Sequence, residues 1–114
     1  MNTNWIALNS IKQLEELSIS STTCSQIVFK HSTRCHISRM GYKELELFTK
    51  ENNGNYVFYY LDILEYRDDS NEVSKEWKIA HESPQVLIIK NKILFYNTSH
   101  EGITNEKIKK QLNN

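Results

Sequence analysis

Proline occurs once in this chain and glycine three times, in 114 residues. With so few breakers there is no Pro/Gly-rich linker, and neither a low-complexity tract nor an internal repeat interrupts the sequence. One domain spanning residues 1–114 is therefore expected, long enough for a single two-sided core and too short for two. Charge of one sign is also missing: 14 acidic and 14 basic residues cancel, so no global field draws in nucleic acid or an anionic membrane. No apolar run approaches the ~20 residues of a membrane-spanning helix. The first residues lack the basic segment and apolar stretch of a secretory signal. The expectation is a cytoplasmic monomer with neither nucleic acid nor membrane as partner. In a reducing compartment its two cysteines are better explained as reactive or packed thiols than as a structural disulfide.

Periodic segments fill what remains. Trp5 to Leu8 reads as a short edge strand. Ser10 and Gln13 stand as N-cap and N3 of a capping box, before a helix striped by Ile11, Leu14 and Leu17. Gln26 to Lys30 reads as a buried strand. A second helix from Cys35 to about Lys50 carries Ile37, Met40, Gly41, Leu45 and Phe48 at helical spacing. Gly41 there would allow close approach to a sheet, and Asn53-Gly54 would supply the stop. Tyr56 to Leu64 is almost continuously apolar or aromatic, as in a strand covered on both faces. Asp69 to Trp77 suits a short helix. Val86 to Lys90 and Ile93 to Tyr96 flank a two-residue turn at Asn91-Lys92, a hairpin signal. Thr104 caps a final helix, with Ile103 and Ile108 as its hydrophobic staple. The order β-α-β-α-β-α-β-β-α argues for an α/β layer structure, its mostly parallel sheet ending in antiparallel strands.

Cys35 sits where a strand hands over to a helix. The first N–H groups of a helix lack intrahelical partners and form the positive end of its dipole, which favours a thiolate. Free cysteine titrates near ~8.5, and helix N-termini with cationic neighbours bring that to ~3.5–7.5. Arg34 is adjacent and permanently charged. Ser38 follows three positions later, on the same helical face, where a C-x-x-C enzyme carries its second sulfur. The motif is C-x-x-S, with a hydroxyl in place of a resolving thiol. From these residues alone Cys35 is either a reactive thiol or an inert packed one.

Three motifs in order carry a resemblance: F-K-H-S-T-R-C-H-I-S around Cys35, H-E-S-P-Q at His81 to Gln85, and S-H-E-G-I-T at Ser99 to Thr104. Over nearly the whole chain the sequence resembles the YtxJ-like monothiol bacilliredoxins, whose signature around the cysteine is often T-C-P-I-S. Arg34 and His36 depart from the threonine and proline of that pattern. The resemblance implies a thioredoxin-like fold, with a central mixed sheet of four to five strands flanked by helices. It implies Cys35 as the catalytic nucleophile of a thiol–disulfide oxidoreductase. From their own chemistry and place in the chain, not from the resemblance, Arg34, His36 and Ser38 are expected to activate it, and His31 and Thr33, with Ser32, to position it. The resemblance further implies a cis Ser83–Pro84 peptide facing the cysteine, where Ser83, Pro84 and Gln85, with Glu82, would line a groove for an extended substrate. No bound cofactor is expected. The co-substrate would be a low-molecular-weight thiol, bacillithiol by resemblance, and the partners S-thiolated client proteins and the small thiol or a reductase.

Histidine at position 36 restores an N–H that proline lacks and sets an imidazole beside the sulfur. Two other functions fit the same cysteine: a binding or sensor module modified without turnover, and a thiol peroxidase passing through a sulfenic acid. Cys24 is not expected to resolve Cys35. A strand of four to five residues separates them by roughly 15 Å, far beyond the ~7 Å limit between disulfide-bonded Cα atoms. The histidines and cysteines lack the paired spacing of a zinc site, so no metal is expected.

Overall fold

The computed structural model describes residues 5–32, 36–52 and 54–112. Within them the elements are β1 (Ile6–Ala7), α1 (Ile11–Ser20), β2 (Ser25–His31), α2 (His36–Glu51), β3 (Tyr56–Asp62), α3 (Arg67–Glu76), β4 (Gln85–Lys90), β5 (Ile93–Ser99) and α4 (Asn105–Leu112), with a 3-10 turn at His100–Gly102. The five strands form one sheet in the order β1-β3-β2-β4-β5. β1 and β2 run parallel to β3, while β4 is antiparallel to β2 and β5 to β4. The expected mixed sheet and order of elements are thus both present.

β2 lies in the middle, and alternation along it divides the interior. Ile27 and Phe29 join Trp5, Leu45, Phe48, Phe58 and Ile108 in one core. Val28, one step out of phase, joins Leu14, Leu17, Leu61 and Val73 in the other. α2 and α4 therefore cover one face of the sheet, and α1 and α3 the other. Each large apolar side chain moved from water into these cores contributes about 1.5–3 kcal/mol before its ordering entropy is subtracted. Trp5 anchors the first core: its ring stacks on Phe58 at 4.7 Å, and its Nε1 donates to Thr49 Oγ1 at 3.1 Å.

The local signals act mostly as their chemistry requires. Ser10 Oγ accepts from Gln13 N while Gln13 Oε1 accepts from Ser10 N, a reciprocal capping box. At the other end of α1 the hydroxyls of Ser21, Thr22 and Thr23 donate to the carbonyls of Ser18, Ile19 and Ser20. Asn91 and Lys92 both take positive φ, 51° and 65°, as a two-residue hairpin turn demands. Thr104 Oγ1 accepts from Lys107 N, and Ile103 and Ile108 are both buried beneath it.

Five expectations need correction. Met40 is 52% exposed and Ile11 49%. The buried stripe of α2 is Ser38, Gly41, Leu45, Phe48 and Thr49, so Met40 falls about 100° off the true seam. A Cβ added at Gly41 would stand 3.5 Å from the Ile103 side chain, so the space beside this glycine is taken by Ile103 rather than by the sheet. α3 opens at Arg67, two residues earlier than the acidic run suggests. Gly54 has no positive φ; the end of α2 is satisfied instead by Asn52, whose Nδ2 donates to Phe48 O at 2.9 Å. Asn53 lies outside the described residues.

Candidate active site

β2 ends with two ionisable residues that point to opposite faces of the sheet. His31 faces α2, and both it and Ser38 are buried. His31 Nδ1 lies 2.6 Å from Ser38 Oγ, which also accepts from Ser32 N at 3.0 Å. The imidazole is walled in by Phe29, Tyr42 and Tyr60, with ring centroids 5.3–5.5 Å away. Burial lowers the His31 pKa below its ordinary 6.5, against the opposing pull of Asp62. The same desolvation, reinforced by Asp62 and Tyr42, pushes Tyr60 up to about 12. His31 is thus a neutral, fixed ring at the end of β2, packed against α2. The Ser38 hydroxyl ties the first turn of α2 to the end of β2; its expected approach to Cys35 lies outside the described residues.

Lys30 faces α3 and has no exposed surface. Its Nζ donates to Ser74 Oγ at 3.2 Å and to His81 Nδ1 at 3.3 Å. Ser70 Oγ reaches the same ring nitrogen at 3.3 Å. Sequence reasoning counted Lys30 only as a strand residue. A lysine inside an otherwise apolar strand pattern, between Ile27-Val28-Phe29 and His31, was the available signal.

Across the sheet, Lys30 pairs in register with Gln85, the first residue of β4. Directly before it the Ser83–Pro84 peptide is cis. The third motif holds this loop. His100 N donates to Pro84 O at 3.1 Å, and His100 Nε2 lies 3.4 Å from Glu82 Oε2. His100 takes a φ of 54°, a left-handed backbone that non-glycine residues adopt rarely. A Cβ on Gly102 would run into Thr98 Oγ1, so any larger residue after His100 would have to displace that hydroxyl. Gln85 departs from its expected role. Its side chain is buried, with Nε2 donating to Ala80 O at 3.2 Å, and it faces inward rather than along a substrate groove. Ser83 Oγ and Gln85 Oε1 are buried with no hydrogen-bond partner among the described residues.

Thr33, Arg34 and Cys35 lie outside the described residues. Their described flanks close β2 at His31 and open α2 at His36, an exposed residue. The other thiol, Cys24, immediately precedes β2 and is free; its Sγ accepts from Gln26 Nε2 at 3.4 Å. It lines a cleft of about 600 Å³ with Ser21, Thr23, Asn52, Tyr56 and Lys90, at the end of β2 away from the proline loop. Among the described residues no three His, Cys, Asp or Glu side chains converge on a metal position, and no helix is long and apolar enough to cross a membrane.

Such a sheet, with helices on both faces and a cis-proline loop beside the end of β2, defines a thioredoxin-fold protein. A solved structure presented as a candidate oxidoreductase with a thioredoxin fold matches at a TM-score of 0.84 and 30% identity, covering 95% of this chain and 93% of that one. Thioredoxins of Fasciola hepatica (TM-score 0.75, 18% identity, 95% and 96% covered) and Malassezia sympodialis (0.71, 16%, 96% and 88%) share the fold. Residues 6–108 match the family model described as monothiol bacilliredoxin BrxC, and the chain belongs to that family. A thiol redox function follows from family and fold together.

Proposed function

We propose that the protein is a monothiol thiol–disulfide oxidoreductase that removes a low-molecular-weight thiol from mixed disulfides on client proteins. The family match over residues 6–108, which takes in Cys35 between β2 and α2, carries this reading. The Cys35 thiolate attacks the sulfur of the small thiol in the client disulfide. A Cys35–small-thiol disulfide forms, and the client cysteine leaves as its thiolate. A second small-thiol thiolate, or a reductase, then attacks that mixed disulfide and returns Cys35 as thiolate. No local second cysteine stands at position 38, so the cycle needs an external thiol. Bacillithiol is the small thiol that the family name suggests.

The described residues support positioning roles. His31 and Ser38 fix the geometry on either side of the cysteine, and His100 and Glu82 hold the loop before β4. The test is release of bacillithiol from an S-bacillithiolated client, followed by mass spectrometry. Cys35→Ala abolishes release and Cys24→Ala retains it; equal release by Cys35→Ala ends the proposal. A second reading draws on His36, exposed at the first position of α2 where the family signature carries proline. In that case the chain is a redox sensor, forming a stable Cys35 adduct that excess small thiol does not turn over.

A further inference from the structure

The cleft at the start of β2 takes no part in the chemistry assigned to Cys35, yet it holds the other thiol of the chain. Its volume of about 600 Å³ falls among those of small-ligand sites, roughly 300–1,000 Å³. Cys24 stands on its wall, free and partly exposed. Gln26, wholly buried two residues further on, turns its Nε2 to Cys24 O at 3.1 Å and to Cys24 Sγ at 3.4 Å. Its Oε1 is left without a partner among the described residues. Turning the amide over would set that oxygen against the Cys24 carbonyl, so the orientation is fixed. The sulfur thus gains a donor while a buried acceptor goes unmet, an arrangement that costs stability. A hydrogen bond of this kind strengthens when its acceptor is ionised.

The wall suits an anion with polar arms. Among the described residues that line it, two are lysines, Lys90 and Lys109, and one is a carboxylate, Glu51. Glu51 is engaged elsewhere, accepting from Asn105 Nδ2 at 3.0 Å. Lys90 is held in place by a bond to Gln111 O at 3.3 Å and by the Phe95 ring, 4.0 Å from its Nζ. Thr22 and Thr23 donate their hydroxyl protons to Ile19 O and Ser20 O, so each keeps lone pairs for N–H or O–H groups of a ligand. We propose that this cleft is a second thiol site, in which Cys24 takes up a low-molecular-weight thiol bearing carboxylates as a mixed disulfide. The choice of a small thiol as ligand rests on the proposed function. The oxidant is the symmetric disulfide of that thiol. The Cys24 thiolate attacks one of its sulfurs, the S–S bond breaks, and Cys24 becomes joined to one half. The other half leaves as a thiolate and takes up the proton that Cys24 gave to solvent.

The test uses glutathione disulfide as an anionic probe and cystamine as a cationic one, each offered to the full-length Cys35→Ser protein. The rate of adduct formation at Cys24 is followed by intact mass and peptide mapping. The ratio of the two rates, glutathione disulfide over cystamine, is about tenfold higher in the folded chain than in urea. The chain as a whole carries no net charge, so the gain comes from the local lysines, which unfolding disperses. It is lost in the double variant Lys90→Gln, Lys109→Gln, with the fold followed by circular dichroism. High salt shrinks it with both lysines in place. No Cys24 adduct on the folded chain, or a ratio that folding does not change, overturns the proposal. A gain that survives in the double variant or in high salt overturns it as well. The readout involves neither Cys35 nor a client protein. A Cys24 adduct without client release would remove the proposed function and leave this site, whereas release without the adduct would do the reverse.

Discussion

One strand separates the two cysteines of this chain, and its two ends are built from different materials. At the start of β2, Cys24 opens onto a cleft of about 600 Å³ walled by hydroxyls and amides. Ser21 there is satisfied locally: its Oγ donates to Ser18 O and accepts from Lys92 N. At the far end the described residues hold more chemistry under tension. Lys30 and His31 are buried side by side on opposite faces, both with lowered pKa, and Ser83 Oγ and Gln85 Oε1 beside them lack partners among the described residues. Volume therefore marks one end and costly burial of ionisable groups marks the other. Groups kept buried at a cost to stability are the better guide to function.

The sharpest way to break this contrast is to exchange the sulfurs for oxygen one at a time. Cys35→Ser should lower the rate of disulfide exchange by on the order of a thousandfold or more, since a hydroxyl is not ionised at neutral pH. Cys24→Ser should leave it within about twofold. A Cys24 variant as inactive as the Cys35 variant would mean that the two ends work together.

Next in size is Lys30→Met, which should make the protein more stable. Removing a buried charge in favour of a packed thioether is worth about 1–3 kcal/mol at pH 7, read from urea denaturation. The sign follows from the titration. Lys30 falls from 10.5 to about 8 on folding, so between these values the unfolded chain binds more protons. The parent's stability therefore rises with pH across that window, and the advantage of the variant should shrink there. A constant difference from pH 7 to pH 10 would place the cost elsewhere. Ser38→Ala comes third. It leaves Ser32 N–H and His31 Nδ1 without their buried partner, at about 1–3 kcal/mol of stability.

The elements were legible in the sequence because their signals are local. The capping box at Ser10 and Gln13, the Asn91-Lys92 turn and the staple of Ile103 and Ile108 depend on residues a few positions apart. The cysteine motif was equally visible. Hidden instead was everything that depends on partners brought together by the sheet. Ser38 was read as an activating residue because position 38 shares a face with position 35; only the fold supplies His31 as a partner for its hydroxyl. Gln85 looked like a groove residue because it follows the proline, and the register against Lys30 turns it inward. The role of the S-H-E-G motif, a clasp on the proline loop, required knowing that β5 ends beside it: Ser99 pairs with Gln85.

The smallest effect concerns the buried imidazole and sharpens the contrast from the acid side. The His31 pKa lies below its ordinary 6.5, chiefly through desolvation, so below pH 6.5 the unfolded chain holds a proton that the folded chain resists. Stability contributed by neutral His31 is therefore complete above that pH and is lost as pH falls beneath it. Urea midpoints should decline from pH 7 to pH 5, and His31→Gln should flatten the slope even though it lowers stability at neutral pH. His81 shifts in the same direction but is exposed, so His81→Gln should flatten the slope less. Were the His81 variant to remove more of the pH dependence than the His31 variant, the strained end of β2 would lie on its α3 face alone.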